Sequence, residues 1–407
     1  MRIKVGVIFG GETVEHEVSI ISAIQAMNKI DEEKYEVIPI YITKDREWYT
    51  GDMLKDIEVY QDFSLIKKYS DNVVLYYKDG SYVLQKKHGL FKSVVKELDI
   101  AFPIVHGTNV EDGVLQGYLQ TIGIPYVGPN VYAAVVGQDK AFMKDVWASA
   151  NLPIKNYVWF YDNDYRQDPE DVVKKVSKLK YPVIVKPATT GSSVGINVCN
   201  DESSLKDAID EAVQYDSKIV VEEVVEDLKE VNIAVMGNYE HQKVSEIEEV
   251  LSGNKFLTYT DKYIGGGKTK GKLKTPVKGA SKGMASASRK LPADLDDDVR
   301  KEVERVAKEA FKVLGSSGNS RIDFLIDRKD NKVYLNEINS IPGSLAFYLW
   351  DAKDINFTKV LDDMINIGIK DYKKRVSKTH SFETNILAGF ASNGGLKGAK
   401  GVKGKLR

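Results

Sequence analysis

The sequence predicts a mixed α/β (α+β) protein in which a doubly wound first domain is followed by antiparallel sheets. Three observations carry that expectation. The first 130 residues alternate compact β-rich runs with helical patterns, as a parallel sheet with crossover helices requires. Beyond residue 180 the strand-like runs come in neighbouring pairs joined by short polar or small-residue turns. A chain of 407 residues, 43% hydrophobic and 29% charged, is long enough for two or three separate cores.

Bulk composition narrows the function classes. A formal net charge of -1 gives no global attraction to nucleic acid or membrane. The single cysteine, Cys199, excludes an internal disulfide framework and fits a reducing compartment. Five scattered histidines with one cysteine make a poor structural zinc site. The opening MRIKVGVIFGG has too short an apolar run for a signal peptide, and no run elsewhere approaches a bilayer span. A soluble, cytoplasmic protein is expected, with no nucleic-acid or membrane partner.

Val5 to Phe9 is the first strand, and Gly10-Gly11 leads into Glu12, Glu15 and Glu17 and a helical run through Val18, Ile21 and Ile24. Strand, glycine turn and helix suit a small ligand at a helix N-terminus. The dinucleotide spacing G-x-G-x-x-G is absent. Acidic residues here either complement the helix dipole or receive an ammonium group. Glu36 to Ile42 is a second strand, residues 48–95 look like a small β insertion, and Asp99 to Val105 is a buried strand ending in His106-Gly107. The helical segment from Val114 to Leu119 and a short strand at Ile124 to Gly128 complete a parallel domain ending near residue 130.

Asp139-Lys140 opens a helix to Ala150, and Pro182 to Lys186 is a strand running into the small-residue loop Ala188 to Ile196. Backbone N–H groups and the hydroxyls of Ser192 and Ser193 in such a loop either cradle phosphate oxygens, with Lys186 beside them, or form a plain turn. Ile219 to Val225 is a strand whose backbone can meet an adenine edge, with Glu230 placed for ribose hydroxyls. Val231 to Met236 and Lys243 to Glu249 continue an antiparallel sheet. Gly265-Gly266-Gly267-Lys268-Thr269 resembles the end of a P-loop, but Lys262 stands where its first glycine belongs and no apolar strand precedes it. Residues from about 250 to 285 are therefore expected to form a functional lid.

An amphipathic helix from Asp294 to Leu314 precedes the densest chemistry in the chain, SRIDFLIDRKDNKVYLNEINSIPG, Ser320 to Gly343. Its period of two places Arg321, Asp323 and Leu325 on one face, and Leu335, Glu337 and Asn339 on one face of the returning strand. Folding the hairpin gathers Asp323, Glu337 and Asn339 beside Arg321. These are hard oxygen donors of the kind Mg²⁺ takes, or else a solvated acidic face. From Gly394 to Arg407 the chain alternates glycine and lysine too densely to fold alone.

With these pieces in order, the chain resembles the D-alanine–D-alanine ligases of the ATP-grasp superfamily. The resemblance rests on GGETVEHEVS (10–19), HGTNVEDGVLQGYLQTIGIPYVGP (106–129), DK (139–140), VKPATTGSSVGI (185–196), VEE (221–223), TYTDKY (258–263), RIDF (321–324) and NEINSIPG (336–343). It implies a three-domain ATP-grasp fold, with a doubly wound N-terminal domain and two sheets sandwiching ATP. The expected domains are 1–130 (N-terminal), 131–213 (central ATP-grasp), 214–375 (C-terminal ATP-grasp) and 376–407 (basic tail).

The same resemblance implies that ATP phosphorylates one D-alanine carboxylate and that a second D-alanine attacks the acyl phosphate. By it, Lys140, Lys186, Ser193 and Lys262 hold phosphates, and Asp323, Glu337 and Asn339 hold two Mg²⁺ ions, with Mn²⁺ as a substitute. Glu222, Glu223, Val225 and Glu230 line the nucleoside pocket. Glu15 grips the first substrate's ammonium and is linked through Ser192 to Tyr263, while Arg321 and the Gly343 N–H stabilise the oxyanion. A homodimer is the expected assembly. One departure stands out: where the family places Ser-Met or Ser-Leu, this chain has Tyr348-Leu349. The bulk of a phenol changes the second-substrate subsite, so D-Ser, D-lactate or another amino acid stands beside D-Ala as acceptor. Tyr263 favours an amine acceptor. A non-catalytic nucleotide-binding protein is the reading from another class, disfavoured because the phosphate and metal positions are all present.

Overall fold

The computed structural model describes residues 2–89, 93–191, 194–251 and 288–381. The chain forms two compact units, residues 1–369 and 370–407. Among the described residues the first unit contains three sheets.

The first sheet begins with β1 (Ile3–Gly10), α1 (His16–Met27) and β2 (Tyr35–Ile42). It continues through β3 (Trp48–Thr50), α2 (Phe63–Tyr69), β4 (Asp71–Lys78), β5 (Ser81–Lys86), β6 (Val94–Leu98) and β7 (Ile100–Pro103). Its order is β6-β5-β4-β3-β2-β1-β7. The doubly wound part is the parallel set β2-β1-β7, and β3 to β6 form the β insertion expected at 48–95. β1 pairs parallel with both β2 and β7, but β3 to β6 extend the sheet antiparallel. The reason is connection length: residues 43–47 between β2 and β3 suffice for a reversal, not for the crossover a parallel neighbour needs. Ile124 to Gly128 forms a single parallel bridge, Ala101 to Tyr126, rather than a strand. Helix α3 (Val114–Ile122) precedes it.

Helices α4 (Val131–Gln138) and α5 (Lys140–Ser149) lead to β8 (Tyr157–Tyr161), α6 (Asp162–Gln167), α7 (Pro169–Val176), β9 (Val183–Pro187), β10 (Asn197–Cys199), α8 (Glu202–Ala212) and β11 (Lys218–Glu223). The sheet order is β10-β9-β11-β8, all antiparallel. β11 lies in this sheet, so the change of sheet falls after Glu223 rather than at the expected 213/214 boundary. Apolar faces of α7 and α8 pack on it through Val172, Val176, Leu205 and Ile209.

The last sheet comprises β12 (Leu228–Gly237), β13 (Gln242–Leu251), β14 (Ser288–Lys290), β15 (Gly318–Asp327) and β16 (Lys332–Asn339), with α9 (Asp297–Val313) between β14 and β15. Its order is β14-β13-β12-β15-β16. Val299, Val303, Val306, Ala310 and Phe311 recur at helical spacing, which turns one face of α9 onto this sheet. The other face of the sheet looks across a cleft toward β9 and β11. A short turn of helix and α10 (Phe347–Asp351) then lead to α11 (Phe357–Val376). Among the described residues no helix is long and apolar enough to cross a membrane.

Candidate active site

One cavity of about 330 Å³ lies between the two antiparallel sheets and against the end of the first domain. The β15–β16 hairpin forms its floor. Register sets Arg321 opposite Asn339 and Asp323 opposite Glu337. The pairing slips at Asp323/Phe324, where an extra residue, Asn336, sits in β16. This bulge corrects the expectation that Leu335, Glu337 and Asn339 share a face. Leu335 is buried in the core with Phe324, while Asn336 and Glu337 both line the cavity. A regular strand would have turned Glu337 or Leu335 the wrong way; the extra residue lets each meet its own environment.

Arg321 grips Asp323 through two hydrogen bonds, Nε to Oδ1 at 2.7 Å and Nη2 to Oδ2 at 2.8 Å, and Asn339 donates to Oδ2 at 3.2 Å. Burial works against the guanidinium's charge, but Asp323 more than offsets it and raises the Arg321 pKa. Two carboxylates and a carboxamide on facing strands are hard oxygen donors that suit Mg²⁺ with phosphate and water completing its shell. Among the described residues no group of three or more His, Cys, Asp or Glu side chains could hold a metal ion.

Cations enter from the other sheet. Asp139 caps α5 by accepting from the N–H groups of Ala141 and Phe142, fixing Lys140 in the first turn. Lys140 Nζ donates to the Thr190 carbonyl at 3.0 Å, at the small-residue loop. Lys186, on β9, lies 2.9 Å from Glu222 Oε1 and donates to Asn336 Oδ1 at 3.3 Å, linking the two sheets. The other Glu222 oxygen lies 2.8 Å from Lys144, whose side chain is 1% exposed. Burial alone would push the Glu222 carboxyl up, but Lys144 and Lys186 hold it down at about 2. Burial pulls the Lys144 ammonium pKa down against the attraction of Glu222. Sequence reasoning missed Lys144. Its only signal was the four-residue spacing from Lys140, which puts both on one face of α5.

The first domain supplies the remaining wall. Gly10 and Gly11 adopt positive φ, and a side chain on Gly10 would meet the Ile42 carbonyl at 2.2 Å, so the turn after β1 stays tight against β2. Glu15 follows that turn and lines the cavity beside Gly191, whose Cβ would come within 3.2 Å of the carboxylate. His106 Nδ1 donates to the Ile341 carbonyl at 2.8 Å, which assigns the tautomer, and burial lowers its pKa toward the neutral ring. Glu111 accepts from Gly107 N, Ser340 Oγ and Ile341 N at 2.9 to 3.0 Å. Burial, reinforced by the nearby Glu15 charge, pushes its carboxyl up to about 7 despite those donors. His106 and Glu111 thus clamp the turn that carries Gly343. Ser344, Leu345 and Ala346 after it all have φ near +50°, a costly run that Ser22 (to Ser344 N, 2.8 Å) and Asn319 (to the Leu345 carbonyl, 2.6 Å) hold in place.

Glu223, Val225 and Glu230 line the far end of the same cavity. Glu223 accepts from Asn156 at 3.0 Å and from the Lys180 backbone at 3.1 Å. Of the pair expected at the second-substrate subsite, Leu349 has its side chain fully buried in the first-domain core. α10 turns only Tyr348 toward the cavity wall, where its hydroxyl donates to Glu248 Oε2 at 3.1 Å. Ser192, Ser193, Lys262, Tyr263 and the expected lid lie outside the described residues, as does the Gly/Lys-rich end of the chain beyond 381.

Facing antiparallel sheets, with lysines entering from one and carboxylates from the other, define an ATP-grasp ligase. A profile described as D-ala D-ala ligase N-terminus matches residues 4–129, and one described as D-ala D-ala ligase C-terminus matches residues 146–366. The chain belongs to the D-alanine–D-alanine ligase family, whose members are ATP-dependent ligases. The D-alanine–D-alanine ligase of Thermosipho africanus is 38% identical over 386 residues, covering 95% of this chain and 98% of the relative. That of Acetivibrio thermocellus is 35% identical over 392 residues, covering 92% and 98%. Among solved structures, the D-alanine-D-alanine ligase from Coxiella burnetii superposes with a TM-score of 0.75 at 26% identity, over 96% of this chain and 98% of its own. The VanG D-Ala:D-Ser ligase from Enterococcus faecalis gives 0.73 at 28% identity, over 90% of this chain and all of its own.

Proposed function

We propose that this chain joins two D-alanines into D-alanyl-D-alanine with ATP, through an acyl phosphate, in the cytoplasm and for peptidoglycan precursor synthesis. The observation that carries this reading is the convergence of Lys140, Lys186, Arg321, Asp323, Glu337, Asn339 and Glu15 on one cavity. A carboxylate approaching a triphosphate is anion meeting anion, so positive charge must lie on both sides of it. Lys140 and Lys186 neutralise the phosphates, and Glu222 holds Lys186 in place. Glu223, Val225 and Glu230 hold the nucleoside. Asp323, Glu337 and Asn339 would hold two Mg²⁺ ions, which supply charge neutralisation at the transferring phosphoryl group.

Glu15 holds the ammonium of the first D-alanine, so that its carboxylate points at the nucleotide. Arg321 and the Gly343 N–H take the charge that develops on the carbonyl oxygen when the second amine attacks. In that step the amine lone pair forms the C–N bond and the C–O bond to phosphate breaks. Phosphate leaves with that electron pair, and the ammonium that forms releases a proton to phosphate or solvent. Tyr348 favours a second reading, in which the same chemistry serves an acceptor such as D-serine, D-lactate or another amino acid. Incubating the protein with ATP, Mg²⁺ and D-alanine tests the first reading: ADP and D-alanyl-D-alanine should appear in equal amounts. Turnover only with another pair would overturn the acceptor, and no turnover across a broad amino-acid panel would overturn the ligase reading.

A further inference from the structure

Three side chains of the cavity wall, Asn232, Glu248 and Arg289, have no role above, and Tyr348 is hydrogen-bonded to one of them. The first two lie in one cross-strand row with the metal-facing carboxylates. Register runs Glu248, Asn232, Asp323, Glu337 across β13, β12, β15 and β16. Glu248 is 1% exposed, yet it faces the cavity, and a buried carboxylate must be compensated. Arg289 from the edge strand β14 does this, with Nη1 at 3.2 Å from Oε1, while the Tyr348 hydroxyl holds Oε2. The guanidinium also lies 5.2 Å from the centre of the Tyr348 ring, a cation–π distance. Glu248 and Tyr348 thereby fix Arg289 from two sides. Beside them, Asn232 is 7% exposed, lines the cavity, and its Oδ1 has no hydrogen-bond partner among the described residues. A buried amide oxygen left that way is a place for a donor from a ligand.

Resting on the ligase reading, we propose that Arg289 and Asn232 hold the acceptor amino acid by its two ends, Arg289 taking the carboxylate and Asn232 Oδ1 an amine hydrogen. The direction follows from Arg321. Arg321 and Arg289 both line the cavity, with the Tyr348 ring against Arg289. An acceptor whose nitrogen attacks beside Arg321 has its carboxylate on the Arg289 side. A guanidinium matches a carboxylate in shape as well as charge. Glu248 and Tyr348 are positioning residues, and the phenol takes up the space that a small side chain would leave open. The substrate class is an α-amino acid with a free carboxylate.

The test compares D-alanine with D-alaninamide as competing acceptors for wild type, Arg289→Met and the charge-neutral pair Arg289→Met with Glu248→Gln. Hydroxylamine serves as a third, small acceptor that reports the acyl phosphate alone. Wild type should form both dipeptide and hydroxamate and prefer D-alanine over its amide. In both variants the acceptor KM should rise about tenfold or more, and the preference over the amide should fall to within about threefold, as for loss of a charge-assisted contact. Hydroxamate formation, with its dependence on ATP and on the first D-alanine, should be unchanged, which shows that the variants are folded. An unchanged acceptor KM and preference would overturn the assignment, as would loss of hydroxamate together with dipeptide. Wild type making neither product would instead refute the ligase reading itself.

Discussion

Glu222→Gln probes the most deeply buried charge cluster in the cavity wall. The carboxylate is 2% exposed and lies 2.8 Å from Lys144 and 2.9 Å from Lys186. The substitution keeps shape and removes the charge, leaving two ammonium groups facing a neutral amide. The ordinary carboxyl value of 4.5 falls to about 2 in the fold. At about 1.4 kcal/mol per pH unit, that displacement is worth about 3 kcal/mol of stability. Breaking a buried ion pair by removing one partner costs about 3–5 kcal/mol, which agrees. Because the folded value is depressed, this stability is fully present above pH 4.5 and is lost as pH falls toward 2. Urea unfolding followed by tryptophan fluorescence at pH 7.5 should therefore show the variant about 3 kcal/mol less stable. The gap should narrow as pH falls below 4.5. Adding Lys144→Met should restore part of the loss, since a neutral pair avoids the uncompensated charge. A variant within about 0.5 kcal/mol of wild type at pH 7.5 would refute the reasoning, because that is the range of inconsequential surface changes.

Glu337→Ala should lower kcat by roughly 100-fold or more at saturating Mg²⁺, the scale of losing electrostatic stabilisation at a transferring phosphoryl group; steady-state ADP release measures it, and near-normal turnover would contradict the metal assignment. Glu15→Gln should raise the KM of the first D-alanine about tenfold while leaving that of ATP unchanged, as for loss of a charged hydrogen bond; hydroxamate formation isolates that site. Glu111 is the opposite case to Glu222. Its folded value is raised from 4.5 to about 7, so wild type should lose stability as pH rises through that window. Glu111→Gln should flatten the dependence between pH 5 and 7, and an equally steep variant would show that the charge of Glu111 is not its source.

The hairpin chemistry was legible because strand periodicity is local. Arg321, Asp323, Glu337 and Asn339 come together as their alternation requires. The bulge at Asn336 was not legible, because nothing in the string of side chains says which residue drops out of the ladder. Lys140 and Lys186 stood at recognisable element ends, whereas Lys144 read as one more polar residue on a helix. Only the packing of α5 against β11 turns it into the counter-ion of Glu222. Leu349 and Tyr348 looked equivalent as a pair, and α10 sends one into the core and the other toward Glu248.

By itself the sequence determined the α/β class, the main strands of the first domain and of the carboxylate hairpin, the family, and the residue types needed to bring phosphate, carboxylate and amine together. Those are set by patterns spanning a few residues and by motifs in fixed order. Tertiary structure alone decided which charges compensate one another: Lys144 with Glu222, Arg289 with Glu248, Glu111 with the turn before Gly343. Pairing of buried charge depends on which faces of distant elements meet and how much water they exclude, and neither distance nor burial is written along the chain.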